Sequence, residues 1–348
     1  MTLQLSSLLT IPISFATCSI GCKYEHTLPK KIDAIASAGF QGIELSMPDL
    51  LSFANLYLKR QVASNEYDDL CTVAKVVKAM CDTKGLKIMM LQPFSNFEGW
   101  PEGSQERKDA FERARGWIRI MEACGTDMLQ VGSTDTPANK LTKDRAAKVG
   151  DIKELGQMLA QHKFRLAYEN WCWSTHAPDW KDVWQVVQEV GLSNVGLCLD
   201  TFQTGGGEWA DPTTESGLVE DVSSEELQKR FHNSLEELSK TVPSSKIYLL
   251  QISDAYKPKQ PFSKEPDETG LRPRGRWSHD FRPLPFNGGY LPVVEVAKGV
   301  LKTGFRGWFS YEVFDGGPDG KGRDYQLDAF AVTARECHKK LTQECSED

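Results

Sequence analysis

Short apolar runs alternate with longer amphipathic stretches along this chain, and that alternation predicts parallel strands joined by helices. The runs that read as strands are 12–17 (PISFAT), 42–46 (GIELS), 86–92 (LKIMMLQ), 127–132 (DMLQVG), 164–169 (FRLAYE), 195–200 (VGLCLD), 246–252 (KIYLLQI) and 307–312 (GWFSYE). Helical stretches fall near 28–38, 67–84, 105–124, 142–161, 179–189, 223–240, 291–302 and 325–341. In "AIASAGFQGIELS" and "CDTKGLKIMMLQ" a helix gives way at Gly39 or Gly85, each suited to a left-handed cap, and a strand follows. Eight such units predict a (β/α)₈ TIM barrel, a single α/β domain over residues 1–348.

An open doubly wound sheet also alternates, but it normally carries a glycine-rich turn after its first strand, and here that turn reads "CSIGCKYEHT". The stretches 203–222 and 253–290, rich in Gly, Pro and charge, follow strands six and seven and are expected as long loops. Loops at the carboxyl ends of strands are where barrels build their sites.

Composition narrows the class further. The formal net charge of −7, with no cluster of Lys and Arg, argues against nucleic acid or an anionic membrane as partner. Nine cysteines, an odd number at irregular spacing with no CxxC pair, read as reduced thiols in a reducing compartment. Cys18 and Cys22 lack a second pair at zinc spacing. The opening "MTLQLSSLLTIPISFATCSIG" has no positive n-region and is broken by Pro12, so it reads as a lead-in and first strand rather than a signal peptide. No later run has the length of a membrane span, and a cytoplasmic location is expected. Nothing in the pattern specifies an oligomeric state.

Four late strands end in polar groups that a purely structural barrel does not need: Glu169 in "LAYEN", Asp200 in "GLCLD", Gln251 in "YLLQ" and Glu312 in "FSYE". Consecutive strands of a barrel deliver such ends to one mouth. Any one terminal acid can end in solvent or cap the next helix. Four on consecutive apolar strands point instead to a shared divalent cation, since isolated buried carboxylates are costly. The donors are all oxygen, which suits Mg²⁺ or Mn²⁺ better than zinc, with Co²⁺ also admissible.

These residues carry a resemblance. "LAYEN…H", "VGLCLDTF", "LLQISDA" and "FSYEVF" resemble the sugar phosphate isomerase/epimerase-like superfamily of xylose isomerase-type barrels, whose metal ligands are Glu, Asp, His or Gln, and Glu on strands five to eight. The glutamine in Gln251-Ile252-Ser253-Asp254, where most members have H-x-x-D, resembles the 3-dehydroshikimate dehydratases of quinate and shikimate catabolism. "LQPFSNFEGWPEG" and "WSHDFRPLPFNGG" look like that subfamily's "PFRDFEG" and "WSRHxRxFPGxG" segments. The resemblance implies metal ligands Glu169, Asp200, Gln251 and Glu312, substrate contacts at Ser278 and Arg282, and a loop histidine at His176. It departs at Ser95, where bacterial relatives have Arg, and at Gln203 of "DTFQ", where they have His; Gln203 is expected to contact substrate.

The implied reaction dehydrates 3-dehydroshikimate to protocatechuate and water through an enolate that a cation stabilises. The expected proton carriers are His176 and Glu312, with Glu169 a competing base and His279 a second candidate imidazole. Of Arg272, Arg274, Arg276 and Arg282, the last is assigned to the substrate carboxylate and the others to loop charge. Trp171, Trp173, Trp209 and Trp277 either pack over a flat ring or simply pack the loops. A sugar ketose 3-epimerase or aldose–ketose isomerase uses the same kind of site, and a non-catalytic metal- or carbohydrate-binding barrel is the reading of a different class.

Overall fold

The computed structural model describes residues 2–347. Among them, parallel strands follow one another around a closed barrel: β1 (Ile13–Ala16), β2 (Gly42–Ser46), β3 (Lys87–Phe94), β4 (Met128–Gly132), β5 (Arg165–Glu169), β6 (Val195–Asp200), β7 (Ile247–Ile252) and β8 (Trp308–Tyr311). β8 closes on β1 through the pairs Ile13↔Phe309 and Phe15↔Tyr311. Helices cover the outside and side chains fill the inside, so β2, β4 and β6 are buried along their whole length. This two-sided burial is why the strands read as apolar runs and not as alternating patterns.

The eight outer helices anticipated from the sequence are all present, with ends shifted by at most a few residues. Trp180–Val190 shows how its sequence makes it. Val183, Val186, Val187 and Val190 repeat at helical spacing and are buried against the barrel. Each such burial contributes about 1.5–3 kcal/mol. The Asp179 side chain accepts from the Asp182 amide at 2.9 Å to start the helix, and Gly191 at φ 67° ends it.

The structure departs from the sequence reading in three places. A helix at Met47–Leu58 follows β2, capped by Ser46, whose hydroxyl accepts from the Asp49 amide at 3.2 Å. The segment after β6 opens with the helix Thr201–Glu208 despite three consecutive glycines. Those glycines signal close packing as well as flexibility: a Cβ on Gly206 would lie 3.1 Å from the Trp277 ring, and one on Gly207 would lie 3.2 Å from Cys172 Cβ. The segment after β7 contains the helix Pro273–Asp280 and a two-residue strand, Phe281–Arg282, that pairs antiparallel with Phe314–Asp315. That small ribbon roofs the barrel mouth. All nine cysteines are free, and no helix among the described residues is long and apolar enough to cross a membrane.

Candidate active site

Parallel register brings the strand ends to one mouth with a small stagger. Glu169 pairs with Cys198, two residues before Asp200; Asp200 pairs with Gln251 and Gln251 with Ser310, and Glu312 follows immediately after β8. Oxygens of Glu169, Asp200 and Glu312 lie within 4.8 Å of one another, and all three residues are buried.

Among the described residues, one cation reaches this cluster. Arg282, 1 % exposed, is placed by the two-residue ribbon. Its Nη2 donates to Asp200 Oδ2 at 2.5 Å, and Nη1 lies 3.0 Å from Glu312 Oε2. Nε donates to Ser253 Oγ at 2.9 Å, and Nη1 also to Ser278 Oγ at 3.3 Å. The guanidinium carbon sits 4.6 Å from the Phe202 ring centroid and 5.3 Å from that of Phe314.

One guanidinium does not balance three acids. Burial, then the charges of Glu312 and Asp200, push the Glu169 carboxyl well above the carboxylate range. Burial also raises Asp200, against the opposing pull of Arg282, and pushes Glu312 up to about 7 against the same guanidinium. Glu169 Oε1 is buried with no hydrogen-bond partner. An unpartnered oxygen, surplus negative charge and oxygen-only donors together fit a hard divalent cation.

Gln251, the fourth expected ligand, pairs with Asp200 and is fully buried. Its Nε2 donates to Glu44 Oε2 at 3.0 Å, and its Oε1 accepts from Cys198 Sγ at 3.2 Å. Glu44 on β2, Gln92 on β3 and Gln130 on β4 were missed by a reading confined to the late strands. Gln130 donates to Glu169 Oε2, and Gln92 Nε2 lies 3.5 Å from Glu312 Oε1. Their signal was available, since "GIELS", "MMLQ" and "MLQVG" place single polar residues inside apolar runs.

A cavity of about 250 Å³ opens above the cluster, and its lining includes Trp171, Trp173, Gln203, Ser278, His279, Arg282 and Glu312. The expected substrate contacts Ser278, Arg282 and Gln203 are thus brought together. Gln203 is already engaged, its Oε1 accepting from the Cys172 amide at 2.8 Å. Trp171 and Trp173 stack at 5.1 Å and 20° to form one wall. Trp209 and Trp277 lie outside the lining; Trp277 donates to the Tyr256 carbonyl at 2.8 Å.

The two candidate histidines sit differently. His176 is not in the cavity lining: its Nε2 is 2.8 Å from Glu98 Oε1, which also accepts from the Thr134 amide at 2.8 Å and the Tyr168 hydroxyl at 2.9 Å. His279 lines the cavity, edge-on to Trp173, and burial lowers its pKa. Arg272, Arg274 and Arg276 are not free loop charges either. They donate to backbone carbonyls, Arg272 to Trp173 at 2.5 Å, Arg274 to Gly206 at 2.8 Å and Arg276 to Ser263 at 2.8 Å. They staple the loop down.

A barrel with acids at the ends of strands five, six and eight, a buried guanidinium beside them and a cavity above defines the class. The chain belongs to the xylose isomerase-like TIM barrel family, whose model matches residues 32–333. It is similar to a 3-dehydroshikimate dehydratase of Neurospora crassa, with 32% identity over 87% of this chain and 86% of that protein. A 3-dehydroshikimate dehydratase of Pseudomonas aeruginosa is 29% identical over 87% of this chain, which spans 38% of that longer protein. Among solved structures, a xylose isomerase-like TIM barrel/4-hydroxyphenylpyruvate dioxygenase fusion protein superposes with TM-score 0.69 at 25% identity, covering 94% of this chain and 42% of that one.

Proposed function

We propose that this chain acts as a single-domain, divalent-cation-dependent 3-dehydroshikimate dehydratase that forms protocatechuate and water. The observation that carries the reading is the close cluster of Glu169, Asp200 and Glu312 beneath a cavity that also presents Arg282 and Ser278. The naming of relatives aligned over most of the chain agrees with it.

Glu169, Asp200 and Glu312, with Gln251, are the residues to hold the cation, Mg²⁺ or Mn²⁺ by the hardness of their donors. When bound, it supplies Lewis-acid stabilisation of the negative charge that develops beside the ketone as the neighbouring carbon loses its proton. The rest falls to the protein. Arg282 and Ser278 take the substrate carboxylate, a planar guanidinium being well matched to it. The stacked Trp171 and Trp173 offer a flat face to the ring and keep water out. Gln203, held by the Cys172 amide, contacts the substrate's hydroxyls through its nitrogen.

Glu312 and His279 line the cavity and are assigned the proton transfers, one removing the ring proton and the other delivering a proton to the leaving hydroxyl. His176, bonded to Glu98, is assigned to hold the loop after β5 in place. Loss of water leaves an aromatic ring, which makes the reaction effectively irreversible.

The test incubates the purified protein with 3-dehydroshikimate and Mg²⁺, Mn²⁺ or Co²⁺ and follows the ultraviolet absorbance of a catechol acid. Metal-dependent appearance of that product is expected. No product with any of the three cations refutes the reading, and an isomerised sugar from a ketose or aldose substrate would establish the epimerase or isomerase alternative instead.

A further inference from the structure

Glu169 is gripped by one of its two oxygens. Oε2 accepts from the Gln130 amide and from the Trp171 indole Nε1 at 3.3 Å, whereas Oε1 has no partner among the described residues. The indole reaches Oε2 because residue 132 has no side chain. A Cβ on Gly132 would lie 2.3 Å from Trp171 Cε2 and Cζ2 and 2.8 Å from Nε1. Gly132 sits in regular β4–β5 pairing and does not have a positive φ, so its missing side chain makes room for the ring and is not needed by the backbone. The ring is held from other directions too. The Trp171 amide donates to Ser133 Oγ at 2.9 Å, and its stacking partner Trp173 donates to Asp135 Oδ2 at 3.1 Å.

We propose that Trp171, seated over Gly132, is a positioning residue for Glu169: its indole N–H shares Oε2 with Gln130 and leaves Oε1 as the single oxygen free to ligate a cation. A carboxylate with both oxygens free can rotate or chelate. Two donors on one oxygen remove that freedom and fix which lone pairs remain. Trp171 thereby does two things, offering its face to the cavity and its edge to a ligand. This inference rests on the cation-site reading above.

The test is Mn²⁺ affinity of the full chain, measured by calorimetric titration. Trp171→Phe keeps a ring over Gly132 but removes the N–H, and it is expected to weaken Mn²⁺ about 10-fold, the lower end of what loss of an outer-shell partner costs. Gly132→Ala drives the indole off Oε2 and is expected to weaken Mn²⁺ at least as much. In the double variant the two losses should not add, because once the N–H is gone its displacement removes nothing further. Trp209→Phe, at a tryptophan outside the cavity lining, is expected to keep the wild-type affinity. A wild-type chain that binds no Mn²⁺ overturns the cation site and this role with it. A wild-type chain that binds, with Trp171→Phe within twofold of it, overturns the positioning role alone, and this variant decides the matter even where Gly132→Ala does not fold.

Discussion

Two glutamates at the barrel mouth, Glu98 and Glu169, are equally buried and differ in company. Glu98 Oε1 accepts from a backbone amide, a phenol and an imidazole, Thr134, Tyr168 and His176. Glu169 shares its surroundings with two more carboxylates, within 4.8 Å, and only one nearby guanidinium, which pairs with the other two acids. Each leaves one oxygen without a partner. Burial alone therefore does not mark a site. A surplus of like charge in one place does, because a fold that gains nothing from crowding acids keeps them apart.

The sharpest way to break this comparison is to remove one acid of the cluster. Glu169→Ala or Glu312→Ala is expected to lower kcat/KM by on the order of 10³-fold, the scale seen when a group stabilising transition-state charge is removed. Bound metal should be lost in the same variants, as metal analysis after gel filtration will show. Full activity in either variant would mean that the cluster is not the site.

A second test uses the crowding itself. Burial, as its largest cause, raises the carboxyls of Glu169, Asp200 and Glu312, the last to about 7. Unfolded, these groups ionise near their ordinary values. As pH rises from about 4.5 toward 7, the unfolded chain releases these protons first, and the metal-free fold loses stability. For Glu312 alone that loss is on the order of 3 kcal/mol. Mn²⁺ must displace the same protons, so the stabilisation it confers should grow across the same window. Thermal melts between pH 5 and 8, with chelator and with Mn²⁺, check both slopes. A metal-free profile that does not fall with pH would show that the acids are ionised without cost.

The strands and helices were legible because each βα unit is a local pattern, and the three acids were legible because each interrupts an apolar run at its end. Arg282 is one of four arginines in its segment, and the resemblance, not its spacing, singled it out. What sequence did not reveal depends on contacts between distant segments. His176 was expected beside the chemistry, but its position is decided by Glu98, 78 residues earlier in the chain. The three glycines after Asp200 suggested a loop, yet Trp277 and Cys172 need the space they leave. Arg272, Arg274 and Arg276 looked like loop charge because their carbonyl partners are not visible as a motif. Glu44, Gln92 and Gln130 were visible by the same rule that found Glu169, had that rule been applied to the early strands.

The finest test makes the same substitution at both glutamates. Glu98→Gln keeps the shape but weakens a charge-assisted acceptor of three donors, and it is expected to lower stability by about 1 kcal/mol while Mn²⁺ affinity holds. Glu169→Gln replaces a crowded buried acid with a neutral amide, and at pH 8 it is expected to raise the stability of the metal-free protein while Mn²⁺ binding falls. Urea unfolding of both variants at pH 8 with chelator reads the two signs directly. Opposite signs follow only if Glu98 is stabilised by its donors and Glu169 is held against repulsion for a cation, so the same sign at both positions would dissolve the distinction.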